Sequence, residues 1–142
     1  VPESSPWVDE LKREAAALLA AGPRELGAEE LALRRYGITD LIDDLRGAPS
    51  REERVAIATA LYPALADLYF RADRRWSAAA KTIPRRMAAM GTPQAVAFVE
   101  AFAALFTVDE PELVIRWAEE LLRPHGGFLF EGFVREAPPD KR

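Results

Sequence analysis

The sequence of 142 residues has no cysteine and only one histidine, His125. Without thiols neither a disulfide framework nor a thiolate metal site can form, and one imidazole cannot build a multi-histidine site. A structural zinc is therefore excluded. No apolar run approaches the roughly 20 residues that span a bilayer, and no signal-like segment opens the chain. A soluble, cytoplasmic protein without a membrane partner is expected. β-Branched residues are sparse and scattered, whereas Ala, Leu, Glu and Arg dominate, which is helical composition. One more absence bears on function: no acidic residue occurs from Arg74 to Val99.

That acid-free stretch overlaps a basic one. Arg71 to Arg86 carries six basic residues and one acid, a net +5 inside a chain of net charge −4, which leaves −9 elsewhere. A positive site in a negative body suits a phosphate-bearing ligand. General nucleic-acid binding is not expected, because extended phosphate tracking needs many cations spread over a face and the patch is short.

The chain punctuates itself into helices. Residues 1–6 read as a linker, and Ser5-Pro6 caps a first helix that Gly22-Pro23 stops. A second helix runs from Ala28 to about Arg46. Ser50 and Glu53 fit a capping box that opens a long helix to about Asp73, with Pro63 expected to bend it. One or two shorter pieces follow between Ser77 and Met90, Thr82 being the candidate cap. Thr92-Pro93 starts a helix to about Thr107 that Phe98, Val99, Phe102, Leu105 and Phe106 nearly surround, so it should be the centre of the core. Asp109 to Arg123 is the last long helix, with Leu113, Val114, Trp117, Ala118, Leu121 and Leu122 on its apolar side. The glycine-punctuated segment from Pro124 to Phe133 should wrap back onto the bundle. The expected fold is all-α, an up-and-down bundle of five or six helices, with one domain over 7–136 and a frayed tail at 137–142. Opening on Val1 rather than Met leaves open both a cut-out domain and a processed piece of a longer polypeptide.

Two places could carry chemistry. Asp40, Asp43 and Asp44 share one face of the second helix, opposite Ile38, Leu41, Ile42 and Leu45. They form either a solvated face or a cation site for a polyamine-like or aminoglycoside-like amine or an oxygen-ligated metal, because clustered acids repel until a cation relieves them. In the basic stretch, Arg75 and Trp76 extend the buried arc of the long helix, and a buried-side arginine needs a carboxylate, a carbonyl or a ligand anion. Asp73 is one candidate partner. Lys81 lies where the chain should turn out of the bundle, and an ammonium there suits a phosphate. Arg85 and Arg86 read as solvated, and Trp76 reads as core more readily than as a base-stacking ring. No Ser, Cys or paired carboxylate stands near His125 at a suggestive spacing, so it reads as a helix-end residue and no catalytic residue is assigned.

The runs Arg35-Tyr-Gly-Ile-Thr-Asp-Leu-Ile-Asp-Asp-Leu45, Arg74-Arg-Trp76 with Lys81 five residues on, and His125-Gly-Gly-Phe-Leu-Phe-Glu-Gly132 together resemble the C-terminal helical domain of bacterial nucleotidyltransferase-fold proteins, relatives of the aminoglycoside nucleotidyltransferases. The likeness covers residues 7 to 137. It implies the second half of a two-domain enzyme. The Gly-Ser turn and paired aspartates of the family's catalytic half are absent, so the chain should not be active alone. The resemblance implies that ATP or another nucleoside triphosphate with Mg is held mainly by an N-terminal nucleotidyltransferase domain, in cis or in a partner subunit. It further implies that Lys81 and Arg75 touch the phosphates and that Asp40, Asp43 and Asp44 face an amine-bearing acceptor. From a different class, the alternative is a protein-interaction or oligomerisation bundle, a homodimer for example, whose charges are only a solvated surface.

Overall fold

The computed structural model describes residues 5–130. Among them are six α-helices and no strand: α1 (Pro6–Ala21), α2 (Ala28–Gly47), α3 (Arg51–Ala72), α4 (Thr82–Met90), α5 (Pro93–Val108) and α6 (Glu112–Leu122), with a 3₁₀ turn at Arg123–His125. The protein is all-α. No helix among the described residues is long and apolar enough to cross a membrane.

Local chemistry sets the helix starts where the sequence places them. The hydroxyls of Ser5, Ser50 and Thr92 accept from the backbone N–H of Val8, Glu53 and Ala95 at 3.4, 3.2 and 3.1 Å, satisfying donors that have no partner inside the first turn. Thr82 is not a cap; Lys81 occupies that position with no side-chain bond, and Pro84 lies in the first turn. The long helix α3 continues through Pro63, whose ring lies on the exposed side. The last helix starts later than Asp109. That residue adopts a left-handed conformation at φ 59° and closes α5 instead, a position where a short polar side chain is tolerated.

The helices α2, α3, α5 and α6 pack pairwise around one core, and α4 closes it against α5. Ile38, Ile42 and Leu45 from α2 meet Leu61, Leu65 and Leu68 from α3. Phe98 lies at the centre, with ring centroids 5.0 Å from Tyr62, 4.9 Å from Phe102 and 5.0 Å from Trp117. These tilted and edge-on arrangements match the quadrupoles of the rings. The expectation that apolar residues nearly surround α5 inside the core is corrected: Val96 and Val99 are exposed, on a face that no helix covers among the described residues. Leu113 is likewise exposed, and Ile115 takes the buried place. The largest departure is α1, which buries none of its residues and leaves Trp7, Leu11, Leu18 and Leu19 open to solvent.

The segment after α6 turns back as expected, as far as it is described. Arg35 Nε donates to the Gly127 carbonyl at 3.0 Å, and the Leu129 N–H donates to Thr39 Oγ1 at 2.8 Å. Thr39 is the one buried polar residue of the core region among the described residues, and this bond together with its own donation to the Arg35 carbonyl at 2.7 Å satisfies it. The remainder of the expected wrap, and the tail expected at 137–142, lie outside the described residues.

Candidate functional site

The basic stretch folds as an irregular turn between α3 and α4. The chain leaves α3 at Asp73, and Arg74 then takes φ 57°, which reverses its direction. Arg75 and Trp76 therefore do not extend the buried arc of α3, and that expectation is corrected. Arg75 has a side chain 51% exposed, and its Nε donates to Asp73 Oδ2 at 2.7 Å, one of the candidate partners named for it. Trp76 is 41% exposed rather than core, with its indole N–H donating to the Leu19 carbonyl at 3.2 Å.

Much of this turn clamps the end of α1. Arg74 Nε donates to the Pro23 carbonyl at 2.8 Å and Arg71 Nη2 to the Arg24 carbonyl at 3.2 Å. Gly22 permits the approach: a Cβ there would come 2.1 Å from the Arg74 carbonyl oxygen, and its φ of +80° suits glycine. Cationic groups at carbonyls near a helix C-terminus also complement the helix dipole.

The same clamp forms a hollow of about 240 Å³ lined by Leu19, Ala20, Gly22, Arg74, Arg75, Trp76 and Arg86. Arg86, read as solvated from the sequence, is half-buried: its guanidinium lies 4.9 Å above the Phe70 ring and donates to the Trp76 carbonyl. Three guanidiniums thus meet at one small opening, and Asp73 is the carboxylate bound to one of them. Both Arg74 and Arg75 use Nε for their internal bond, which leaves the terminal fork as a donor set for an anion. Arg74 and Arg86 escaped the sequence reading because only the left-handed turn at Arg74 brings them together.

Lys81 does not join them. It is exposed at the start of α4 and lines neither hollow that Arg75 lines, so the expected pairing of Arg75 with Lys81 in one hollow is not met. Arg85 is exposed as read.

The acidic face also sits elsewhere. Asp40, Asp43 and Asp44 are all exposed. Asp43 and Asp44 line a hollow of about 480 Å³ with Glu53, and Asp40 does not take part. Asp43 lies 3.7 Å from Arg46, which relieves part of the mutual repulsion. Glu53 is in the first turn of α3 and Arg75 lies beyond its last, so at 1.5 Å per residue the acidic and basic hollows stand roughly 28 Å apart. At that separation the acceptor role implied for these aspartates and the phosphate role implied for Arg75 do not meet at one place on this chain. Among the described residues no group of acidic or histidine side chains could hold a metal ion.

On the other side of Arg75 a wider groove of about 690 Å³ runs between the end of α3, the α4–α5 turn and the end of α6, with Tyr69, Gln94, Trp117 and His125 among its lining residues. Arg75 lines both openings. The marked electrostatic shifts lie away from both. The Arg24 guanidinium and the Gly27 N–H hold Glu30 down to about 2. Hydrogen bonding to Arg54, at 2.8 and 2.7 Å, lowers Asp109. Comparison with family models, with curated proteins and with solved structures finds no match.

Proposed function

We propose that this chain is a phosphate-binding helical domain that works as one half of a cytoplasmic nucleotidyltransferase. What supports the reading is the hollow in which Arg74, Arg75 and Arg86 converge beside Trp76, with no carboxylate in its lining and Asp73 paired to Arg75 from outside it. Guanidiniums bind phosphate oxygens through paired N–H donors, and their net positive charge stabilises the charge that develops on pyrophosphate as it leaves. In this reading the reacting groups and the magnesium belong to a catalytic domain, in cis or in a partner subunit, and this chain adds its own contacts to the nucleotide. Lys81, exposed nearby in sequence, adds attraction at a distance and not a contact. Asp40, Asp43 and Asp44 are the solvated face of α2, keeping anions from that end of the bundle.

Titration of ATP against the chain, followed by NMR of the arginine Nε–H groups, tests the proposal. Arg75 and Arg74 should shift at millimolar nucleotide or below, and Arg75→Gln should weaken the effect several-fold. No perturbation of either arginine would remove the phosphate reading.

A second reading, an interaction or oligomerisation bundle, is favoured by the open apolar stripe of α1. Light scattering separates the two: a mass that falls on Leu18→Asp, with indifference to ATP, supports the second.

A further inference from the structure

We infer that the two openings beside Arg75 are the two ends of one nucleotide site, with the base in the wide groove and the phosphates in the arginine hollow. The inference rests on the phosphate reading above and extends it to the rest of the ligand. Arg75 lines both openings, so it is the residue that a ligand occupying both would share.

The groove has the character of a site for a flat heterocycle. Its volume of about 690 Å³ falls in the range of small-molecule pockets. Two aromatic rings are held in place at its wall. The Tyr69 hydroxyl and Thr92 Oγ1 are 3.0 Å apart in a hydrogen bond, and Trp117 Nε1 donates to the Gln94 carbonyl at 2.9 Å. The two rings meet edge to face at 5.4 Å. A ligand entering here therefore meets a surface whose side chains have already lost their freedom, which lowers the entropic cost of binding. The Gln94 side-chain amide and the His125 imidazole also line the groove and offer both donors and acceptors to the edge of a ring.

Charge sets the direction of the ligand. The carboxylates in the groove are Asp73 and Glu120, whereas the smaller hollow holds no carboxylate in its lining. A phosphate chain is repelled from the first and drawn to the second. A neutral base has no such penalty and gains contact with the apolar wall. The class of ligand is thus an aromatic heterocycle joined to a chain of phosphates.

Calorimetry with ATP, inorganic tripolyphosphate and adenosine as probes tests this, using the chain and its Ala97→Trp variant. Ala97 is exposed on α5 and lines the groove, so an indole there fills the space without entering the core. Ala72→Trp, at the exposed end of α3, is a second filler should the first fail to fold. ATP should bind about tenfold more tightly than tripolyphosphate, the scale of one base in contact with aromatic side chains. The filler should bring ATP down to the tripolyphosphate level and leave tripolyphosphate unchanged. The Trp117 indole N–H resonance should move with ATP and with adenosine but not with tripolyphosphate. Equal affinity for ATP and tripolyphosphate, with the filler indifferent, would overturn the shared site and leave the phosphate reading intact. Binding of neither ATP nor tripolyphosphate would overturn both.

Discussion

The helices α1 and α5 are alike in outline and opposite in fate. Each has 16 residues, and each begins with a hydroxyl cap followed by proline. Yet α5 buries Ala95, Phe98, Ala101, Phe102 and Leu105, and α1 buries nothing. The caps and propensities decide that a helix forms; they carry no information about what it packs against. The apolar residues of α5 are met from α3, α4 and α6, whereas the end of α1 meets the basic turn, where Trp76 donates to the Leu19 carbonyl and Arg74 to the Pro23 carbonyl just past the helix. The arginine hollow lies where the open helix touches the packed bundle.

The comparison can be broken at its strongest point by Phe98→Ala. Removing a ring packed against three others should cost about 3–5 kcal/mol in chemical denaturation, and a loss below about 1 kcal/mol would mean that α5 is not the centre of the core. Next comes Gly22→Ala, which forces a Cβ against the Arg74 carbonyl at a left-handed backbone position. It should cost about 1–2 kcal/mol in the local clamp, read as a change in Trp76 fluorescence and in arginine resonances of the turn. The core resonances of Phe98 and Trp117 should stay in place. An unchanged turn would show that α1 is not docked through this loop.

A smaller effect is expected from acid. Hydrogen bonding to Arg54 lowers Asp109 below its ordinary value of 3.8, and Glu30 is lowered to about 2. The unfolded chain therefore binds protons at a higher pH than the native one. The stability these pairs contribute is complete above the ordinary carboxylate values and is lost as pH falls toward 2. Arg54→Gln should flatten the part of that loss due to Asp109, visible in thermal melts between pH 5 and 2.5. An identical pH profile for the variant would remove the pair from the account. Smallest of all, Trp7→Ala and Leu18→Ala should change stability by less than about 0.5 kcal/mol, because both side chains are 67% exposed. A larger loss that grows with protein concentration would sharpen the contrast differently, placing a partner on α1.

Most helix boundaries were legible because they are written in local chemistry: Ser5-Pro6, Ser50 with its acidic first turn, Thr92-Pro93 and Gly22-Pro23 act within a few residues. The core face of α2 was legible from spacing, with Ile38, Ile42 and Leu45 buried. The site was harder to read. Continuing the arc of α3 into Arg75 assumed that the helix went on, and the left-handed Arg74 overturned that by sending the arginines to a common opening. The acidic face was correctly recognised as a face, but its distance from Arg75 depends on α3 continuing unbroken between them.

The amino-acid sequence by itself determined the helical class, the caps and a positive segment in a negative chain, since each depends on neighbours along the backbone. The tertiary structure alone decided that Arg74, Arg75 and Arg86 converge, that Lys81 stays outside and that α1 stays open. Those outcomes depend on where one turn points and on which helix lies across from another, and residues far apart in the chain set both.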